Sequence, residues 1–223
     1  MLDNKKEIYY FDYIMARPWR IQYEGAIYHV MSRGVARCKI FLIDEDYQKF
    51  LEYIERISEK FSVDIFAFVL MENHYHLFLR TKEANLSRMM QWLQTSYSVY
   101  YNHKHNRCGH LFQGRYKSIL VGNESYWQNL SLYIHLNPIR AGVAKKPEKY
   151  KWSSYHDYVG ISKIHKWVLC EEILSEFGRD KKESRIKYID LIREVSGKEK
   201  NFFEDIKHGL ILGSDGFVDW VKK

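Results

Sequence analysis

The chain has 223 residues, of which 46% are hydrophobic and 16% aromatic, enough to bury one sizeable core with a small appended segment. This composition excludes a largely disordered protein. No run approaches the ~18 consecutive apolar residues of a membrane span, and the first residues lack the apolar stretch of a signal peptide. Three widely spaced cysteines, Cys38, Cys108 and Cys170, form neither a disulfide framework nor a CxxC metal pair. We therefore expect a cytoplasmic protein without membrane association.

Positive charge is concentrated in the middle of the chain. The net charge is +7 and the pI is near 9.1, which favours a polyanionic partner. From His74 to Asn123, seven Lys or Arg residues stand against one acidic residue, whereas from Glu171 to the C-terminus eleven bases oppose twelve acids. We expect the middle segment, and not the C-terminal part, to contact phosphates.

The first clear element begins after residue 15. Residues 1–15 fit no clear period, so they form either an upstream extension or a short arm packing on the domain. The β-branched and aromatic run 26–32 predicts a first strand that stops at Arg33. Asp44 then offers an N-cap to a helix whose apolar residues recur every three or four positions as far as Phe61.

The next segment predicts a hairpin followed by a long helix. Residues 63–71 are almost continuously apolar, and after a two-residue turn the chain resumes as a second strand over 74–80. Asn85 is suited to cap a second helix with an apolar stripe that packs on the sheet.

The last part of the predicted domain adds one strand and one helix. Residues 116–121 predict either a fourth strand or the start of a short helix, and the strand is the favoured interpretation. Asn123 caps a helix that ends before Pro138. The order β-α-β-β-α-β-α is typical of an α+β, ferredoxin-like fold: an antiparallel sheet with helices on one face and the other face open for a site. The residues beyond 161 predict amphipathic helices, the last of them over 202–221.

Two histidines lie two positions apart in the predicted third strand. Because strand side chains alternate, His74 and His76 point to one face, while Tyr75, Leu77 and Leu79 point to the other, helix-covered face. Two neutral imidazoles on one face can chelate a divalent ion. The alternative is an ordinary pair of sheet-surface histidines.

The segment Asn73-His74-Tyr75-His76-Leu77 resembles the HUH motif (His, hydrophobic, His) of the single-tyrosine HUH transposases, which include IS200-like and REP-associated tyrosine transposases. Other segments are similar to this family as well. They correspond to its opening strand (16–34), its nucleophile segment (109–117), and the helix and turn that close its domain (133–142 and 152–155). The resemblance therefore implies a transposase domain over 16–160, followed by a helical extension over 161–223.

This resemblance implies metal-dependent cleavage and strand transfer of single-stranded DNA at hairpins, through a 5′-phosphotyrosine intermediate. It implies Mg²⁺ or Mn²⁺ held by His74 and His76, and Tyr116 as the nucleophile, flanked by Arg115 and Lys117. A phenol, with a pKa near ~10, needs such help at neutral pH. The alternative for Tyr116 is a half-buried strand aromatic.

One position departs from the family pattern. Relatives supply a third metal ligand one helical turn after the tyrosine, where this chain has Leu120, which cannot ligate. His110, Gln113 and Glu124 are the chemically suitable replacements. Family members act as monomers or as homodimers that exchange the tyrosine, and the sequence leaves both arrangements open.

Six cations of the middle segment are the predicted DNA contacts: Arg80, Arg88, Lys104, Arg107, Arg115 and Lys117. The alternative for these residues is a solvated basic face. Two alternative functions also stay open, namely a non-catalytic module that binds single-stranded nucleic acid and a metal-dependent hydrolase of small substrates.

Overall fold

The computed structural model describes residues 21–122, 124–161, 165–196, 206–207, 211–214 and 217–219. The strands are β1 (Ile27–Arg33), β2 (Val63–Met71), β3 (His74–Thr81), β4 (Lys117–Val121), β5 (Ile206–Lys207) and β6 (Ile211–Leu212). The helices are α1 (Asp44–Lys60), α2 (Leu86–Lys104), α3 (Glu124–Arg140), α4 (Tyr155–Val159), α5 (Cys170–Leu174) and α6 (Lys181–Ser196). Single 3-10 turns cover Val35–Arg37, Pro147–Lys149 and Ser175–Phe177. The predicted α+β fold and the order of its first seven elements are confirmed.

The strands form one sheet in the order β2-β3-β1-β4-β6-β5. Its first four strands are antiparallel, and the register sets Met31 opposite His76 and Arg33 opposite His74. At the far edge, β6 pairs with β4 in parallel. The prediction of a helix throughout 202–221 is therefore wrong, because Ile211 and Leu212 bury their side chains by extending the sheet beyond β4.

One face of the sheet is covered by α1 and α2. The apolar stripe of α1 is fully buried at Phe50, Ile54 and Ile57, and Phe50 packs against Tyr75 of β3. The predicted cap residue Asp44 does not cap this helix. Asp46 in the first turn instead holds the residues that precede the helix, since its carboxylate accepts hydrogen bonds from the backbone N–H groups of Leu42 and Ile43 at 2.8 and 3.2 Å.

The opposite face, expected to be open, is largely covered. Helix α3 packs against β2 and β3, and its Trp127 contacts the rings of Phe66 and Phe78. All nine residues of β2 are buried, as expected for a strand with packed layers on both sides. The prediction of one helix-covered face and one open face is therefore wrong for most of the sheet.

Helix α3 extends further than the sequence indicates. It continues through Pro138 to Arg140, because a proline in the last turn removes only one helical hydrogen bond and Ala141 N–H still reaches the carbonyl of Asn137 at 2.9 Å. The predicted cap Asn123 lies outside the described residues, as do residues 1–20. None of the described helices is both long enough and apolar enough to cross a bilayer.

The segment after residue 160 packs directly on the domain. Leu169 N–H donates to the carbonyl of Ile65 at 2.8 Å, and α6 lies against α3. Between them, the buried ring of His135 in α3 is hydrogen-bonded to Tyr188 of α6 at 2.6 Å and to Ser154 at 2.7 Å. These bonds fasten the second half of α3 to two later elements.

We predict that Tyr188→Phe lowers the free energy of unfolding by about 1–3 kcal/mol, because it leaves a buried imidazole nitrogen without its partner. Urea denaturation followed by circular dichroism measures the change. Tyr53→Phe in α1 is the matched control, since Tyr53 is only half-buried. Equal stability of the two variants would show that the His135 bonds contribute nothing.

Candidate active site

The histidine pair lies where β3 begins. His74 and His76 project from the same face, on the α3 side, with ring centroids 5.2 Å apart and planes nearly perpendicular. His76 is only 5% exposed, while His74 is half-buried. The two rings thus stand at the boundary between the α3-covered part of the face and solvent.

Each ring of the pair has a hydrogen-bond partner on its Nδ1 atom. His74 Nδ1–H donates to the Asn73 side-chain carbonyl at 2.6 Å, and Asn73 in turn donates to the backbone carbonyl of Arg37. His76 Nδ1 shares a hydrogen bond of 2.8 Å with Nε2 of His29 in β1. The nitrogen of each ring that these two bonds do not engage is Nε2.

Burial sets the charge state of these imidazoles. Desolvation, aided by the nearby Arg33, lowers the pKa of His74. Desolvation also holds the pKa of His76 well below its usual range, and it lowers the pKa of His29 to about 3. All three rings are therefore neutral at neutral pH, which is the form that binds a metal.

A cavity of about 600 Å³ opens in front of the pair. Among the residues that the structure describes, four cations and no acidic residue line it: Arg33, Arg37, Arg115 and Lys117. Arg33 is the last residue of β1 and Arg37 lies just after it, where the antiparallel register brings the chain beside the start of β3, and sequence reasoning missed both. Only knowledge of that register would have identified them. The arrangement suits a bound polyanion.

A tyrosine of α3 meets the histidine pair. The ring of Tyr133 lies edge-on to that of His76, with centroids 5.6 Å apart, and 5.8 Å from that of His29. The guanidinium of Arg140 stands over the Tyr133 ring at 5.6 Å. Burial raises the pKa of the Tyr133 phenol, while a hydrogen bond with Asn137 and the charge of Arg140 act in the opposite direction.

Tyr116 lies on the other face of the sheet. It is 6% exposed and its hydroxyl is 3.3 Å from the Ser87 hydroxyl at the start of α2. Strand alternation explains this, because its neighbours Arg115 and Lys117 are the residues that face the cavity. The structure does not bring Tyr116 to the histidine pair, contrary to the sequence-based expectation.

The three candidates for a third metal ligand lie in different parts of the structure. Gln113 lines the cavity, and its side-chain oxygen accepts a 2.6 Å hydrogen bond from Arg33 Nε. His110 belongs to a neighbouring groove beside α2, and the side chain of Glu124 lies outside the described residues. In the part of the chain that the structure describes, no three His, Cys, Asp or Glu residues form a cluster able to hold a metal.

The predicted DNA contacts also separate. Arg80 is engaged in a part-buried ion pair with Asp64 and Glu172, and it is not among the residues that line the cavity. Arg88 and Lys104 are exposed on α2. Arg107 lies just after this helix, and its guanidinium stacks over the ring of Tyr101. Of the six predicted cations, the cavity is lined by Arg115 and Lys117.

The comparisons with known proteins agree with this architecture. The family model "Transposase IS200 like" matches residues 22–137, more than half of the 223-residue chain. The chain therefore belongs to the IS200-like transposase family. No curated protein is significantly similar in sequence.

Solved structures resemble the chain at low sequence identity. A REP-associated tyrosine transposase bound to a REP hairpin superposes with a TM-score of 0.55 and 19% identity, over 66% of this chain and 86% of that one. A candidate transposase from Deinococcus radiodurans R1 gives 0.38 and 18%, over 53% and 95% of the two chains. The tRNA(His) guanylyltransferase of Saccharomyces cerevisiae gives 0.41 and 11%, over 92% and 96%. The first similarity supports the fold, and the other two support no further argument.

We predict opposite outcomes for two arginine variants. Arg80→Gln lowers the free energy of unfolding by about 1–3 kcal/mol, because buried Asp64 loses its closest charged donor. Arg115→Gln leaves stability unchanged, weakens binding of a single-stranded oligonucleotide and reduces the salt slope of binding by about 1. Urea denaturation and fluorescence anisotropy across salt concentrations measure these effects. If Arg80→Gln has wild-type stability and a reduced salt slope of binding, Arg80 contacts DNA and the ion pair is not its main role.

Proposed function

We propose that this transposase cleaves and rejoins single-stranded DNA through a covalent phosphotyrosine, with Tyr133 as the nucleophile and a divalent metal, Mg²⁺ or Mn²⁺, bound by His74 and His76. The observation that carries the proposal is the contact between the rings of Tyr133 and His76 beside a cationic cavity. This contact brings the proposed nucleophile, the two histidines proposed as metal ligands and the cationic cavity together on one face of the sheet.

Tyr133 replaces Tyr116 in this proposal for two reasons. The first is distance, since the Tyr116 hydroxyl bonds with Ser87 on the opposite face. The second is the residue one helical turn further on. After Tyr133 this position is Asn137, whose side-chain carbonyl is a donor suited to Mg²⁺ or Mn²⁺, whereas after Tyr116 it is Leu120. The family pattern of a tyrosine and a ligand on one helix is thus met by α3.

The residues around the pair fit a bound divalent ion. Both imidazoles are neutral, and hydrogen bonds at Nδ1 leave the Nε2 atoms for coordination. Two imidazoles and an amide oxygen leave positions for phosphate oxygens of the substrate. When bound, the ion would polarise the scissile phosphate and neutralise part of its charge.

The chain's own groups account for the remaining requirements of the reaction. The phenolic oxygen of Tyr133 bonds to phosphorus as the bond to the 3′ oxygen breaks, and in net terms the phenolic proton passes to that departing oxygen. Arg140 over the ring favours the developing phenolate. The phosphotyrosine conserves the phosphodiester energy, so the reverse attack by a 3′-hydroxyl rejoins DNA without ATP.

The proposed substrate is single-stranded DNA that carries a hairpin. Arg33, Arg37, Arg115 and Lys117 supply the charge that a phosphate backbone requires around the cleavage position. The hairpin is inferred from the similar REP-associated transposase, which was solved with a REP hairpin. Because Tyr133 and the histidine pair belong to one chain, a monomer holds the complete set of groups.

We predict that Tyr133→Phe abolishes the covalent protein–DNA adduct and that Tyr116→Phe retains it, because only the first removes the oxygen that attacks. The measurement is a denaturing gel of protein incubated with Mn²⁺ and labelled hairpin oligonucleotides with single-stranded flanks. Both variants keep their ring, so each is a matched control for the other. An adduct with Tyr133→Phe, or its loss only with Tyr116→Phe, would refute the assignment.

We also predict that His76→Ala, or removal of divalent ions with EDTA, reduces adduct formation by more than about 100-fold. Oligonucleotide binding should change little, because the cavity cations remain. The same gel and an anisotropy titration measure the two quantities. Wild-type cleavage by His76→Ala and in the presence of EDTA would exclude a requirement for the metal. If the wild type binds the oligonucleotide but forms no adduct, a non-catalytic binding module would be favoured.

A further inference from the structure

A third histidine, absent from the HUH pattern, stands directly behind the pair. His29 projects from β1 on the α3 side and is fully buried. Its Nε2 is 2.8 Å from His76 Nδ1, and the two rings are nearly parallel with centroids 5.0 Å apart. The β1–β3 register creates this contact by setting Met31 opposite His76, which leaves His29 diagonal to it.

A hydrogen bond between two neutral imidazoles has only two possible directions. The 2.8 Å separation of His29 Nε2 and His76 Nδ1 places one proton between the two nitrogens, so one ring donates and the other accepts. If His29 donates, the proton of His76 resides on Nε2 and that atom cannot bind a metal. If His76 donates from Nδ1, its Nε2 presents a lone pair toward the cavity.

We propose that His29 is a positioning residue that accepts a hydrogen bond from His76 Nδ1–H and thereby holds His76 in the tautomer and orientation needed for coordination through Nε2. The inference rests on the proposed metal site. Metal-binding histidines generally donate their second N–H to an acceptor behind them, and that acceptor fixes the ring. Asn73 performs this task for His74, since its side-chain carbonyl accepts from His74 Nδ1.

The two acceptors differ in how firmly they are held. Asn73 is half-buried at the turn between β2 and β3, whereas His29 is built into the middle of the central strand and contacts the ring of Tyr133 as well. His29 therefore connects the orientation of one metal ligand to the position of the nucleophile. A side chain that cannot accept a hydrogen bond would leave His76 free to adopt the other tautomer.

The first test determines the tautomer in the metal-free protein. Nitrogen-15 NMR of uniformly labelled wild-type protein distinguishes protonated from unprotonated ring nitrogens. We expect His76 protonated on Nδ1 and bare on Nε2. A proton on His76 Nε2 would overturn the proposal, whatever the protein does with metal or DNA.

The second test measures Mn²⁺ affinity, with the metal alone as the probe and electron paramagnetic resonance as the readout. His29→Phe keeps an aromatic ring but removes the acceptor, and we expect affinity to fall by about 10–100-fold. In His29→Gln the side-chain carbonyl can accept in place of Nε2, so we expect a loss of less than about tenfold. His105→Gln, which alters a histidine bonded to Asp46 on the α2 side, is the control with unchanged affinity.

The outcomes separate this proposal from the proposed function. Wild-type affinity in His29→Phe, with the folded state verified by circular dichroism, would refute the role of His29. Equal losses in the Phe and Gln variants would refute it too, because a hydrogen-bond acceptor should rescue the site. If the wild type itself does not bind Mn²⁺, the metal site fails, and the tautomer measured by NMR still decides which ring donates.

Discussion

The packing of α3 against β2 and β3 is the constraint on which the candidate site depends. Trp127 contacts Phe66 and Phe78 and so holds the first half of the helix on the sheet. Six residues further along the same helix, the ring of Tyr133 contacts that of His76. Hydrophobic packing thus sets the distance between the nucleophile proposed here and the proposed metal ligands. It also removes water from one side of the histidine pair.

Partial burial divides the site into two electrostatic regions. Beneath α3, desolvation keeps His29 and His76 neutral, although cations stand nearby. At the open end, where β1 and β4 meet the start of β3, arginine and lysine side chains face a cavity that no acidic residue of the described ranges lines. Neutral imidazoles and cationic side chains can therefore coexist within one site, and a phosphate would bridge the two regions.

Much of the fold was predictable because each element carries a local signal. The strand and helix periods of the first seven elements and the shared face of His74 and His76 follow from alternation alone. The second packed layer was also signalled, since the unbroken apolar run of β2 is typical of a strand buried on both faces. That signal was outweighed by the expectation of an open ferredoxin-like face.

The choice of Tyr133 as the proposed nucleophile and the placement of the cavity arginines both depend on tertiary structure. Tyr116 has flanking cations, yet alternation turns its ring away from the face that those cations share. Leu120, one helical turn after Tyr116 and unable to ligate, was the departure in the sequence that agrees with the nucleophile Tyr133 proposed here. Arg33 and His29 gain their roles only through the β1–β3 register, which pairs residues more than forty positions apart. No local pattern contains that information.

The hydrogen bonds that join His135 to Tyr188 and Ser154 have a consequence for assembly. The exchange of a helix with a neighbouring molecule costs more free energy when the end of that helix is bonded to two other elements of its own chain. Exchange of α3 between two subunits would require these buried hydrogen bonds to break and to form again in the partner. In the described structure, these hydrogen bonds hold the second half of α3 to later elements of its own chain.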